Sequence, residues 1–150
     1  MKIMERKDAI RYIYKLATLR GWSYYDYAKK KNNDDMLHAR IEGLGEFQYP
    51  SIALLSPKEL NIVLRELFGE KGFLIKDEKL VYMLRMYCKD NDIPFSVVGT
   101  LILRIWKNNP KIYSVYHLDN KKIFVIKDRI LGHFKDKDEK IEEEAENELF

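Results

Sequence analysis

Apolar residues recur at helical spacing through most of this chain, and helix start and stop signals frame the recurrences. Between residues 6 and 19, Ile10, Ile13, Tyr14 and Ala17 share one face, and Gly21 is placed to end the helix. Ser23 can cap a short helix carrying Tyr24, Tyr25, Tyr27 and Ala28. Residues 29–35, Lys-Lys-Lys-Asn-Asn-Asp-Asp, have no apolar period and predict a loop. A weaker helix carries Met36, Leu37 and Ile41 before Gly43 and Gly45 break it. Residues 46–55 are ambiguous. Phe47, Tyr49 and Ile52-Ala53-Leu54-Leu55 suit an extended segment interrupted by Pro50.

The next start signal is complete. Ser56-Pro57-Lys58-Glu59 supplies an N-cap serine, a proline at the first helical position and a capping-box glutamate. Leu60, Val63, Leu64, Leu67 and Phe68 form the apolar stripe, with Gly69 as C-terminal cap. Asp77 can cap a following helix whose buried face is Leu80, Met83, Leu84, Tyr87 and Cys88, stopped by Asn91-Asp92-Ile93-Pro94. A third helix over residues 95–107 turns Val97, Val98, Leu101, Ile105 and Trp106 inward. Its opposite stripe is Ser96, Thr100, Arg104 and Asn108, with Lys107 beside it.

After Asn109-Pro110 the period changes to two. Ile112, Ser114, Tyr116 and Leu118 alternate with Tyr113, Val115 and His117; a turn at Asp119-Asn120 leads into Lys121, Lys122 and the run Ile123-Phe124-Val125-Ile126. Two helices followed by a hairpin with a basic tip, from Glu78 to Leu131, are the parts of a winged helix in order. The expected fold is therefore α+β and mainly helical, with a winged-helix-like C-terminal half and an N-terminal helical extension. Expected domains are residues 1–55, helical; 56–135, winged-helix-like; and 136–150, an exposed or disordered acidic tail.

Charge sharpens this picture. The formal net charge is +3, but residues 136–150 hold eight acids and two lysines, a net of −6, leaving a body of +9. A basic body with an acidic tail is the pattern of nucleic-acid contact, and such a tail can compete with phosphates for the basic face. A hydrophobic fraction of 46% supports a real core. The single cysteine, Cys88, excludes an internal disulfide and a thiolate zinc site. No run approaches 18 apolar residues and no signal-peptide core opens the chain, so the expectation is a cytoplasmic protein without a membrane partner. One glutamine, 34% charged residues and abundant Lys, Ile and Tyr lean toward a thermophile, while eight asparagines pull the other way.

The string Leu84-Arg85-Met86-Tyr87-Cys88-Lys89-Asp90-Asn91-Asp92-Ile93-Pro94-Phe95-Ser96-Val97-Val98-Gly99 resembles the winged-helix module at the C-terminal end of viral and plasmid replication primase-helicases. In that module an aromatic and a cysteine close one helix, a polar turn follows, and a serine precedes a hydrophobic-glycine pair. Residues 123–131 resemble its final strand. The resemblance covers about a third of the chain and rests mostly on core positions. Val98 stands where the family usually has an aromatic, the wing is poorer in arginine, and no helicase or primase motif is present. The resemblance implies an accessory role facing DNA rather than an activity.

Candidate binding residues follow from these placements. Arg104 and Lys107, with Ser96 and Thr100, suit entry into a major groove; His117, Lys121 and Lys122 suit phosphate contacts from the hairpin. Tyr24, Tyr25 and Tyr27 beside Lys29, Lys30 and Lys31 combine rings with positive charge, as single-strand binders do, although on a helix three tyrosines cannot all face one way. The alternative to each is an ordinary solvated face. His38, His117 and His133 show no metal-ligand spacing, no phosphate-binding glycine loop is present, and no cofactor or metal is expected. Asp34, Asp35, Glu42 and Glu46 with Lys58 leave a small metal-dependent nuclease as a third reading. The leading expectation is a non-catalytic nucleic-acid-binding protein, DNA in preference to RNA, acting as an accessory factor in replication or transcription. The second is a protein-interaction subunit docking on a replication or transcription enzyme, through the N-terminal helices or the acidic tail.

Overall fold

The computed structural model describes residues 2–45, 47 and 51–132. Expectations for Glu46, Tyr49, Pro50, His133 and the acidic tail lie outside these residues. The fold is α+β and mainly helical. It separates into two compact units, Met1–Glu78 and Lys79–Phe150.

In the first unit, strand β1 (Lys2–Glu5) runs directly into α1 (Arg6–Leu19). Arg6, Ala9, Ile13 and Ala17 recur every three or four residues and are buried. The helix ends as its sequence predicts: Gly21 takes φ 73° and the Trp22 amide returns to the Ala17 carbonyl at 2.9 Å. After α2 (Asp35–Gly43) and a 3-10 turn (Ile52–Leu54), α3 (Pro57–Phe68) opens with the expected capping box. Ser56 Oγ accepts from the Glu59 amide at 3.2 Å, and Glu59 Oε1 accepts from the Ser56 amide at 3.0 Å. Gly69, at φ 67°, closes it. Leu60, Val63 and Leu64 pack with Ile13, Leu37, Ile41 and Ile52 in one core. The expected boundary near residue 56 therefore moves to 78/79, because the stripe of α3 belongs to the first core.

Strand β4 (Phe73–Lys76) pairs in parallel with β1, Lys2 opposite Phe73 through Glu5 opposite Lys76. Neither strand carries a period-two signal long enough to find by sequence. A second correction concerns residues 24–33. The expected short helix is instead an antiparallel hairpin of β2 (Tyr24–Asp26) and β3 (Lys31–Asn33). Asp26 Oδ1 accepts from the amides of Ala28 and Lys29 at 3.0 and 3.2 Å, and Lys30 adopts φ 52°. The aspartate side chain offers the backbone a turn in place of a helix.

The second unit contains α4 (Lys79–Asp90), α5 (Ser96–Ile105), a 3-10 turn (Val115–His117) and a further helix, α6, over residues 120–132. Asp92 at φ 54° and the 2.8 Å bond from the Ile93 amide to the Cys88 carbonyl end α4. Of the expected α4 face, Leu84 and Cys88 are buried and Leu80 and Tyr87 half-buried, but Met83 is exposed and Val81 is buried in its place.

The expected wing is overturned. Residues 112–126 form no hairpin; a turn and the first half of α6 occupy them. Asp119, read as a hairpin turn, is the N-cap: its Oδ1 accepts from the Lys122 amide at 2.9 Å and its carbonyl from the Ile123 amide at 3.0 Å. Ile123, Ile126 and Ile130 fall at i, i+3 and i+7 and are buried against Leu84, Val98 and Ile102, while Phe124 and Val125 face out. Burial of that isoleucine stripe outweighs the strand preference of a β-branched run.

Candidate nucleic-acid interface

Helix α5 is held by its apolar side. Val98 and Ile102 are fully buried, and Val97, Leu101, Ile105 and Trp106 pack partly against the same cluster. A helical turn of 3.6 residues then places Ser96, Gly99, Thr100, Leu103 and Arg104 on the opposite side; the helix ends at Ile105 rather than at 107, Lys107 follows in the turn, and all six are exposed. The structure thus brings together four expected residues, Ser96, Thr100, Arg104 and Lys107. The Thr100 hydroxyl donates to the Ser96 carbonyl at 3.4 Å. Gly99 leaves the middle of the face open: a methyl there would meet no atom within 4 Å. Arg104 and Lys107 have no ion-pair partner among the described residues.

The turn before α5 is fixed by Arg85, whose guanidinium lies 4.2 Å from the centre of the Phe95 ring. Cys88 is buried beneath it, and that burial pushes its thiol upward against the opposing charge of Arg85, as suits a core residue rather than a nucleophile.

The residues assigned to a wing are dispersed. His117 Nδ1 accepts from the amides of Ser114 and Tyr113 at 3.2 and 3.3 Å, so that nitrogen closes a turn. Lys122 Nζ lies 2.9 Å from Asp119 Oδ2, and bonds from Lys122 hold the Asp119 carboxyl below its ordinary pKa. Lys121 alone of the three is exposed and without an ion pair among the described residues.

Residues 79–135 carry 11 basic and four acidic side chains, +7 of the body's +9, and with the acidic residues 136–150 the second unit as a whole nets +1. The sign is legible from sequence; the facing of α6 is not.

In the first unit, Tyr24, Tyr25 and Tyr27 are 51%, 46% and 84% exposed, and Lys29, Lys30 and Lys31 are exposed with them. The hairpin resolves the difficulty a helix posed, since none of the three rings is core.

Among the described residues no three His, Cys, Asp or Glu side chains come close enough to hold a metal ion. Of the acids considered for a nuclease, Asp34 accepts a hydrogen bond from the buried Ser23 hydroxyl. No helix among the described residues is long and apolar enough to cross a membrane. Comparison with protein-family models, with curated proteins and with solved structures finds no match.

Proposed function

We propose that this protein is a non-catalytic nucleic-acid-binding protein whose ligand is duplex DNA and whose grip is the exposed face of α5. The observation that carries this reading is one helix with two unlike sides. Val98 and Ile102 anchor it, while Ser96, Thr100, Arg104 and Lys107 present hydroxyls and exposed cations within a stretch, residues 79–135, that carries a net +7. Hydroxyls and long cations on an outward helix match a major groove, and phosphates reward the surrounding lysines. The reading needs no wing. An accessory role in replication or transcription is the setting such a binder fits.

A salt titration of duplex binding tests it. Neutralising about four to six phosphates gives a log–log slope of roughly −4 to −5. Replacing Arg104 and Lys107 with alanine should weaken binding and flatten that slope, with thermal unfolding unchanged. Absence of duplex binding at low salt would sink the reading.

A second reading, a protein-interaction subunit, has its own support in α6. Phe124 and Leu131 lie one heptad apart on its outer side, and both are largely exposed. A partner dependent on Phe124 but indifferent to Arg104 would favour it.

A further inference from the structure

Resting on the nucleic-acid reading but on a different unit, we infer that the β2–β3 hairpin is a second site, which takes a single strand of nucleic acid by stacking bases on tyrosines and phosphates on lysines. Successive strand residues point to opposite faces, so Tyr24 and Tyr25 of β2 face opposite ways, and Tyr27, in the turn just past the strand, brings its ring against that of Tyr25. The Tyr25 and Tyr27 rings stand edge to face, with centroids 4.9 Å apart, which fixes their orientation before any ligand arrives. Asp26 holds the connecting loop through two amides, and the buried Ser23 hydroxyl bonds Asp34 at the base. The hairpin is thus tied at both ends, and little ordering is left to oppose binding.

Charge is separated along the same element. Lys29 and Lys30 occupy the tip and Lys31 stands opposite Asp26, whereas Asp34 and Asp35 lie at the base. Asp26 itself is turned onto the loop backbone. Exposed tyrosine alone would also suit a protein partner, but lysine is depleted from protein interfaces and three of them line this one. The only apolar side chain among residues 28–33 is Ala28, so the hairpin itself adds no greasy surface beside the rings. Rings spaced by lysines are the chemistry of base stacking with backbone tracking.

The test is binding of the full chain to a labelled oligothymidine of about 15 nucleotides and to a duplex, across a salt series. Tyr25→Ala should weaken oligothymidine binding about 5- to 150-fold, the range expected for one lost stacked base. Tyr25→Phe, which keeps the ring, should bind within about 2-fold of the parent by the same logic. Lys30→Gly removes one charge at a position whose positive φ favours glycine, so the turn survives. It should lower the single-strand salt slope by about 0.7. None of the three should alter duplex binding, which Arg104 and Lys107 control. Duplex binding without oligothymidine binding, or equal losses for Tyr25→Ala and Tyr25→Phe, would overturn the inference and leave the α5 reading intact. Loss of both ligands at low salt would overturn both. Variants that change sedimentation with anionic vesicles but not oligothymidine affinity would overturn it in favour of a lipid surface.

Discussion

Arg6 Nη1 lies 2.8 Å from Glu78 Oε1, joining the first turn of α1 to the residue just before α4. The arginine is only 3% exposed, whereas Glu78 is exposed. Its Nε donates to the Leu55 carbonyl at 2.8 Å and its Nη2 to the Ala53 carbonyl. A buried guanidinium is costly unless its donors are met, and here they meet two carbonyls of a segment without long regular structure. Arg6 therefore does for residues 53–55 what a neighbouring strand does for an ordinary edge.

Removal of Arg6 should cost more than removal of its carboxylate partner. Arg6→Leu leaves the Ala53 and Leu55 carbonyls without their donor and should destabilise by about 2–4 kcal/mol. Glu78→Gln keeps an acceptor at a solvated position and should cost less than about 1 kcal/mol. Urea unfolding of the two variants decides the point, and equal losses would place the stabilisation in the ion pair.

The Tyr87 hydroxyl is buried and finds no hydrogen-bond partner among the described residues. Tyr87→Phe should therefore leave stability unchanged or raise it by about 1 kcal/mol, since it deletes an unsatisfied polar atom and keeps the ring beside Lys127. Burial also pushes the phenol of Tyr87 above its ordinary value, as it does those of Tyr12 and Tyr14. With the folded pKa raised, the neutral phenol's contribution is complete below about pH 10 and is lost as pH rises through the folded value. The alkaline limb of stability should be shallower in Tyr87→Phe.

Asp119 titrates in the other direction. Its folded pKa lies below the ordinary 3.8, so its contribution is present above that value and is lost as pH falls through the folded one. Asp119→Ala should lower the melting temperature at neutral pH by more than Asp119→Asn, which can still cap α6. Both should lose part of the acid-induced destabilisation below pH 4. An unchanged acid limb in both variants would show that the cap carries no pH dependence.

Gly99 sits inside α5 with open space around it. Gly99→Ala should stabilise the protein by about 0.5–1 kcal/mol, the usual helix-interior difference. If α5 docks closely into a groove, the added methyl should also weaken duplex binding. A variant both more stable and equally tight would place the contact on the rim of the face.

The helices were legible where local chemistry and burial agree. Ser56, Pro57, Glu59 and Gly69 frame α3 as written, and Gly21 ends α1. The failures share one cause: residues whose local signal serves two structures. Asp119-Asn120 suits a hairpin turn or an N-cap, and only the burial of Ile123, Ile126 and Ile130 decides between them. Tyr24 to Asn33 has no alternating apolar residues, because a hairpin exposed on both faces needs none. On α5 the expected binding stripe needed no long-range information, so its exposure followed directly from Val98 and Ile102 going inward. The dispersal of His117 and Lys122 depended on a wing that tertiary packing replaced.

The pairing of β1 with β4 has a temporal consequence. Lys2 and Phe73 are 71 positions apart, yet they open the same four-residue ladder. A ladder that short cannot persist until the intervening chain has collapsed, since closing so long a loop is entropically unfavourable. Phe73 to Lys76 must also be synthesised before residues 2–5 find their place. The residues of α1 and α3 are therefore all made before the ladder can close, and until then the backbone of residues 2–5 is left to water.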